Sequence, residues 1–204
     1  MDLFNSDPTT NILPFDGEAI YYGPIINRDL AYQYYQTLLD NIEWRHDESF
    51  IFGKHFVTKR KVAWYADKPF PYRYSGATKI ALPWTETLQK IKTKIEEVSG
   101  ETYNSCLLNL YHTGEEGMGW HSDGETELKK QGAIASVTLG AERKFAFKHK
   151  ETKETHSVIL QNGSLLVMKG TCQENWKHRL PPTKKVKMPR VNLTFRTIVK
   201  AQAK

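Results

Sequence analysis

Cysteine is nearly missing from this chain: Cys106 and Cys172 are the only two among 204 residues, and neither sits in a C-x-x-C pair. No disulfide framework is implied, and a reducing, intracellular compartment is expected, cytoplasmic or, in a eukaryotic source, nuclear. Long hydrophobic runs are missing too. No stretch reaches about 18 consecutive apolar residues, the length that would suggest a membrane-spanning helix. The opening MDLFNSDPTTNILPFDG has no basic stretch followed by an apolar core, so no secretory signal is expected. Neither sign of charge dominates: 29 Lys and Arg against 23 Asp and Glu leave a net charge of +6. That excess suits a polyanionic partner without identifying one. Internal repeats and low-complexity linkers are also lacking, and 204 residues suit one substantial core better than two.

What is present is aromatic and patterned. Five Trp, ten Tyr and nine Phe can fill a large core or offer stacking surfaces for flat ligands. Residues 1–17 are polar, with Pro8, Pro14 and Gly17, and are expected to form a flexible arm; residues 18–204 then form a single domain, monomeric in expectation. Asn27 can cap a helix over 28–40, where Leu30, Tyr34 and Leu38 recur at four-residue spacing. A second helix is expected over 84–99, because Trp84, Leu88, Ile91, Ile95 and Val98 step by four and three up to Gly100. Residues 50–75 look extended, with a turn at Gly53-Lys54. From Ser105 the pattern becomes short strands, over 105–112, 133–140, 143–149, 155–160, 164–169 and 190–199, with a turn signal at Asn162-Gly163. The fold class is therefore α+β: helices within 18–104 pack on one side of an antiparallel jelly roll formed by 105–199.

The last strand carries the sharpest local signal. Arg190, Asn192, Thr194 and Arg196 alternate with Val191, Leu193, Phe195 and Thr197, so two arginines, an amide and a hydroxyl share one face. Strand 105–112 repeats the theme, with Leu107, Asn109 and Tyr111 on one face and Cys106, Leu108 and Leu110 on the other. Two arginines on one face repel unless anions lie between them, and a dicarboxylate would satisfy both through bidentate pairing. Upstream, His121-Ser122-Asp123 sets an imidazole and a carboxylate on the same side of an extended segment, and His178 follows 55 residues later, an interval long enough for several strands to fold it back. Two histidines and one carboxylate form the facial triad of non-haem Fe(II) oxygenases, which leaves coordination positions open. A zinc hydrolase with the same ligands remains a rival, but it gives Arg190 and Arg196 no role.

Taken together, Asn109-Leu110-Tyr111, His121-Ser122-Asp123-Gly124-Glu125, His178 and the closing R-x-N-x-T-x-R of Arg190 to Arg196 resemble the AlkB family of dealkylating dioxygenases, over most of residues 18–199. The resemblance implies a double-stranded β-helix, a jelly roll of cupin type. It implies Fe(II) on His121, Asp123 and His178, which are then also the catalytic residues. It implies 2-oxoglutarate as cosubstrate with O2, held by Asn109, Tyr111, Arg190, Asn192, Thr194 and Arg196. In the N-terminal half, Phe52-Gly53-Lys54, Arg60-Lys61 and Tyr72-Arg73-Tyr74 resemble the nucleotide-recognition lid of the members that act on duplex DNA. By that resemblance Phe52 fills the gap left by a flipped base, Tyr74 stacks on the extruded base, and Glu125 and Arg143 contact substrate together with Gly53, Lys54 and Tyr72. Ser122 and Gly124 depart from the duplex-acting pattern, and Trp64 resembles a branch that prefers single strands, so strand preference stays open.

The implied function is repair of alkylated DNA, removing methyl groups from 1-methyladenine and 3-methylcytosine as formaldehyde while 2-oxoglutarate becomes succinate and CO2. Two alternatives stay open: the same chemistry on RNA, a protein side chain or a small molecule, and a non-catalytic jelly-roll module that binds metal or nucleic acid. Lys184, Lys185 and Lys187 suit either a phosphate contact or a solvated loop.

Overall fold

A computed structural model describes residues 10–51, 54–74 and 77–199. In chain order the elements are β1 (Glu18–Pro24), α1 (Arg28–Asn41), β2 (Arg45–Ile51), β3 (Lys54–Ala66), β4 (Pro71–Tyr74), β5 (Ala77–Ile80), α2 (Glu86–Ser99), β6 (Ser105–Tyr111), β7 (Met118–His121), β8 (Ile134–Gly140), β9 (Arg143–His149), β10 (Thr155–Leu160), β11 (Ser164–Lys169), α3 (Cys172–Asn175), β12 (Trp176–Leu180) and β13 (Arg190–Arg196). Two antiparallel sheets form the jelly roll. The larger runs β1-β11-β8-β13-β6-β3-β2 and the smaller β10-β9-β12-β7, while β4 and β5 make a separate ribbon.

Strand alternation assigns each face of the large sheet its task. Val191, Leu193 and Phe195 of β13, fully buried, pack with Cys106 and Leu108 of β6 and Val137 and Leu139 of β8. Leu38 of α1 and Leu88, Ile91 and Ile95 of α2 belong to the same cluster, so both helices cover this one face. Fully burying each such side chain stabilises the fold by roughly 1.5–3 kcal/mol. The opposite face of β13 looks toward the small sheet and carries the arginines. Between the sheets, a second core gathers Phe147, Leu160, Leu166, Met168 and Trp176.

Both helices begin and end for local reasons. Asn27 caps α1 by accepting from Leu30 N–H at 2.9 Å. Helix α1 buries Ala31, Tyr35 and Leu38, leaving Leu30 and Tyr34 half-buried at the border of that face. Helix α2 starts two residues later than its apolar spacing suggests. Thr85 is the cap, its hydroxyl accepting from Leu88 N–H, and Trp84 stands outside with its indole stacked on Phe195, 6.1 Å between ring centroids. The Trp84 Nε1 donates to Asp67 at 2.6 Å, a bond that a helical Trp84 would lose. Gly100 ends α2 at φ +70, a left-handed geometry that glycine adopts without strain.

The flexible arm expected over 1–17 is corrected from Asn11 onward. Asn11 Oδ1 accepts from Leu13 N–H and Ala19 N–H, and Leu13 is only 2% exposed. Phe15 sets its ring against His149 and Trp176, and its carbonyl accepts from Trp176 Nε1 at 3.0 Å. The apolar side chains Leu13 and Phe15 outweigh the loop-forming prolines, so this segment is a strap across the small sheet. The first nine residues lie outside the described ones. The strands expected from Ser105 onward fall close to their bounds, except that β13 ends at Arg196, where Thr197 turns away to donate to Thr102 O; β1, β7 and β12 were not foreseen.

Candidate active site

The inner faces of the two sheets enclose one chamber. Arg190, Asn192, Thr194 and Arg196 line it from β13, Leu107, Asn109 and Tyr111 from β6, and His121 and His178 from β7 and β12. All four polar β13 side chains are buried. A strand with arginines on a face shut away from water is therefore the wall of a site and not a solvated edge.

Strand pairing brings the histidines together. His121 of β7 and His178 of β12 are direct register partners, and their rings lie 4.3 Å apart at 69°. Asp123 follows on the loop leaving β7. Its Oδ1 lies 3.7 Å from His121 Nε2 and 3.9 Å from His178 Nε2, and one donor atom from each of the three lies within 4.8 Å of the others. Each ligand is aimed from behind. Since a carbonyl can only accept, His121 Nδ1 donates to Gly119 O at 2.8 Å, which leaves Nε2 free of its proton for a metal. The Asp123 N–H donates to Gln173 Oε1 at 2.9 Å, and Ser122 Oγ donates to Trp176 O at 2.8 Å, so α3 and β12 hold the loop. Arg196 donates to Asp123 Oδ2 at 2.7 Å, which turns Oδ1 toward the imidazoles.

Electrostatics keeps Asp123 and His178 in ligating form. Burial alone would raise the Asp123 carboxyl, but Arg196 and the two imidazoles overcome it and hold the group at about 2. Burial pushes His178 down to about 4, so it is neutral at pH 7 with a lone pair available.

Arg190 lies deeper in the chamber. Its Nη2 donates to Thr138 Oγ1 at 2.8 Å and Asn192 Oδ1 at 2.7 Å, its guanidinium lies over the Tyr111 ring, and its Nε has no hydrogen-bond partner. Asn192 in turn donates to Thr194 Oγ1, and Ser136 donates to Asn192 Oδ1. No carboxylate pairs with Arg190 among the described residues. Burial therefore pushes its guanidinium down to about 10, with Arg143 adding repulsion and Tyr111 opposing. The two arginines differ in their partners: Arg196 has the Asp123 carboxylate, whereas Arg190 has only the neutral oxygens of Thr138 and Asn192. Asn109 lies opposite Asn192 in register, and its Oδ1 likewise has no partner.

Other expected residues divide. Glu125 is half-buried in the chamber wall. Arg143 does not face the chamber, which corrects the substrate contact expected of it. Its Nη2 donates to Glu116 O and Pro181 O at 2.9 Å each, pinning the loop after β6 to the segment after β12. Phe52 and Gly53 lie outside the described residues, and Lys54, Tyr72 and Tyr74 are described only as strand backbone in β3 and β4. Residues not foreseen as site-forming also reach the chamber, among them Met118, Ser136 and Phe145, as does Arg60. Ser136 and Thr138 could have been found, because they alternate with Ala135, Val137 and Leu139 along β8.

A family model described as the 2OG-Fe(II) oxygenase superfamily matches residues 19–196. The chain belongs to that superfamily. Bovine DNA oxidative demethylase ALKBH2 is 40% identical over 157 residues, covering 73% of this chain and 56% of the relative. The human ALKBH2 protein is 41% identical, covering 73% and 60%. The human alpha-ketoglutarate-dependent dioxygenase alkB homolog 3 is 35% identical over 173 residues, covering 80% and 60%. The chain thus spans less than two thirds of the length of these relatives and stands in the AlkB branch of the superfamily. A solved structure of OsALKBH1 shares the fold, with a TM-score of 0.61 at 16% identity, over 91% of this chain and 99% of that one. The superfamily's cofactors are Fe(II) and 2-oxoglutarate, with O2. They fit this chamber: two imidazoles and a carboxylate converge from three sides, and a buried guanidinium beside them has a donor without an acceptor.

Proposed function

We propose that this protein is a DNA repair dioxygenase that oxidatively demethylates N-alkylated bases of the 1-methyladenine and 3-methylcytosine type. One observation carries the reading: a buried arginine, without a carboxylate partner among the described residues, shares a chamber with two histidines and an aspartate. Likeness to proteins named DNA oxidative demethylases supports the choice of substrate. Fe(II), 2-oxoglutarate and O2 supply the oxidising power that converts an N-methyl carbon to N-hydroxymethyl, leaving succinate and CO2. The hydroxymethyl then leaves as formaldehyde, and the base nitrogen recovers its ordinary valence.

In this reading His121, Asp123 and His178 hold the metal, and Arg196 orients Asp123. Arg190 takes the distal carboxylate of 2-oxoglutarate, with Asn109, Tyr111, Asn192 and Thr194 completing the cradle. Phe145 and Leu180 keep water from the reacting end. Glu125 accepts a hydrogen bond from the exocyclic amine of the damaged base. Phe52, Gly53, Lys54, Tyr72 and Tyr74 act on the flipped nucleotide. The protein works as a monomer inside the cell, where two unpaired, buried cysteines meet no oxidising pressure.

The test is mass spectrometry of matched single- and double-stranded DNA oligonucleotides carrying 1-methyladenine, incubated with Fe(II), ascorbate and 2-oxoglutarate. Loss of 14 mass units together with formaldehyde and succinate is the expected result. Turnover confined to methylated RNA would move the substrate, and no turnover on any methylated strand would end the reading.

A further inference from the structure

The outer face of the small sheet is as patterned as its inner face. Its centre is Ala146 of β9, whose small side chain lines a groove. Along β9 that alanine is flanked two residues away on each side by Lys144 and Lys148, which share its face. Across the sheet, Ala146 pairs with Arg179 of β12 on one side and Ser157 of β10 on the other. Lys177, opposite Lys148, adds a fourth cation. The outward positions of β9, β10 and β12 are Lys144, Ala146, Lys148, Thr155, Ser157, Ile159, Lys177 and Arg179, with no acidic side chain between them.

Arg179 is held ready in an unusual way. Its guanidinium carbon lies over the Trp120 ring, 4.5 Å from the centroid, and its Nε is buried without a hydrogen-bond partner. Among the described residues none of Lys144, Lys148, Lys177 and Arg179 has a side-chain hydrogen bond or ion pair within the protein, and Lys148 Nζ lies 6.0 Å from the same Trp120 ring. Cation–π contact with the indole restrains the guanidinium while leaving its N–H groups unspent. A planar guanidinium fork held beside a serine hydroxyl matches a tetrahedral oxyanion. Four cations without a counter-ion match a chain of such anions better than a single one. A groove lined by Trp120, Lys144, Ala146, Ser157, Arg179 and Thr183 gives that anion room.

We propose that this groove is a phosphodiester site, with Arg179 as its anchor, that holds the backbone of the substrate strand at a distance from the reacting base. The proposal rests on the nucleic-acid reading above and adds a second contact to it. Its position suits the task. Arg179 and Lys177 flank His178 in sequence and point to the opposite side of β12, so one short strand presents the metal ligand inside and the cations outside. Only β7, a four-residue edge strand, separates β12 from the rim of the sheet. A strand leaving the chamber mouth reaches the groove by crossing that rim.

The experiment compares the wild type with Lys144→Gln/Arg179→Gln and with Lys144→Gln/Lys177→Gln, the second pair being exposed side chains whose loss does not threaten folding. Binding of a 25-nucleotide single strand carrying 1-methyladenine is followed by fluorescence anisotropy across salt concentrations, beside formaldehyde release from a trinucleotide too short to reach the groove. Both variants should bind the long strand about tenfold more weakly at low salt, with a log–log salt slope shallower by about 1.4, the value for two lost phosphate contacts on a single strand. Trinucleotide turnover should not change. Unaltered affinity and slope would overturn the groove. So would an equal loss on the trinucleotide, because Arg179 would then be acting through its neighbour His178. Failure of the wild type to release formaldehyde from any strand would strike the catalytic reading instead, and the binding series would still report on the groove.

Discussion

Replacing Arg190 by methionine removes a buried cation while keeping most of its volume. In the ligand-free protein that cation is a liability. A guanidinium held at about 10 instead of 12.5 carries a burial penalty on the order of 3 kcal/mol. The substitution also deletes a donor to Thr138 and one to Asn192, but Asn192 Oδ1 keeps its bond from Ser136, so about 1 kcal/mol is lost on that side. The net expectation is a ligand-free protein about 2 kcal/mol more stable, a rise in Tm of roughly 5 °C for a chain of this size. With 2-oxoglutarate present the sign reverses. Removing one partner of a buried, hydrogen-bonded charge pair costs about 2–5 kcal/mol of binding, so the KM for 2-oxoglutarate should rise on the order of 100-fold. Thermal unfolding with and without 2-oxoglutarate and Mn(II), alongside succinate formation at graded 2-oxoglutarate, reads both effects. The wild type should gain stability from the ligand and the variant should not. A variant that unfolds earlier without ligand while keeping a wild-type KM would refute the reasoning, because Arg190 would then be a structural tie and not an anion site.

The other expectations concern the metal ligands and the lid. His178→Ala should abolish dealkylation and weaken Mn(II) binding, measured by calorimetry, by at least tenfold; retained activity would remove His178 from the metal site. The metal-free protein should also be acid-sensitive in a defined window. His178 titrates near 4 in the folded chain and near 6.5 when unfolded, so the unfolded state binds the extra proton between those values. Stability should be full above pH 6.5 and fall by about 3 kcal/mol by pH 4, seen in urea midpoints and flattened in His178→Gln. Phe52→Ala should slow repair of duplex substrates at least fivefold more than of single strands, and equal losses would discredit the wedge role.

Much of the site was legible because it is written in strand alternation. The period-two pattern of Arg190 to Arg196 needs no knowledge of tertiary contacts to say that four polar groups share a face, and buried Val191, Leu193 and Phe195 say that the other face is core. The pairing of His121 with His178 was foreseeable only as a possibility, since 57 positions and four intervening strands decide where the second histidine returns. What escaped was decided by side-chain reach and short elements. Arg143 shares a face with Phe145 and Phe147, yet its long side chain bends to carbonyls at the end of the sheet. Gln173 belongs to a four-residue helix with no periodicity to announce it. Residues 11–17 looked like a tail because the opening as a whole is polar and carries Pro8, Pro14 and Gly17, while three apolar side chains, Ile12, Leu13 and Phe15, supply the docking.

Strand β7 is only four residues long and lies at the rim of its sheet, with β12 as its single neighbour. An ion shared by His121 and His178 would act as a clasp across that pairing, joining the rim strand to the body by coordination as well as by main-chain bonds. Metal loss would then be felt beyond chemistry: the amides of β7 should exchange with solvent faster, and the mouth of the chamber should loosen along the side where a nucleotide would enter.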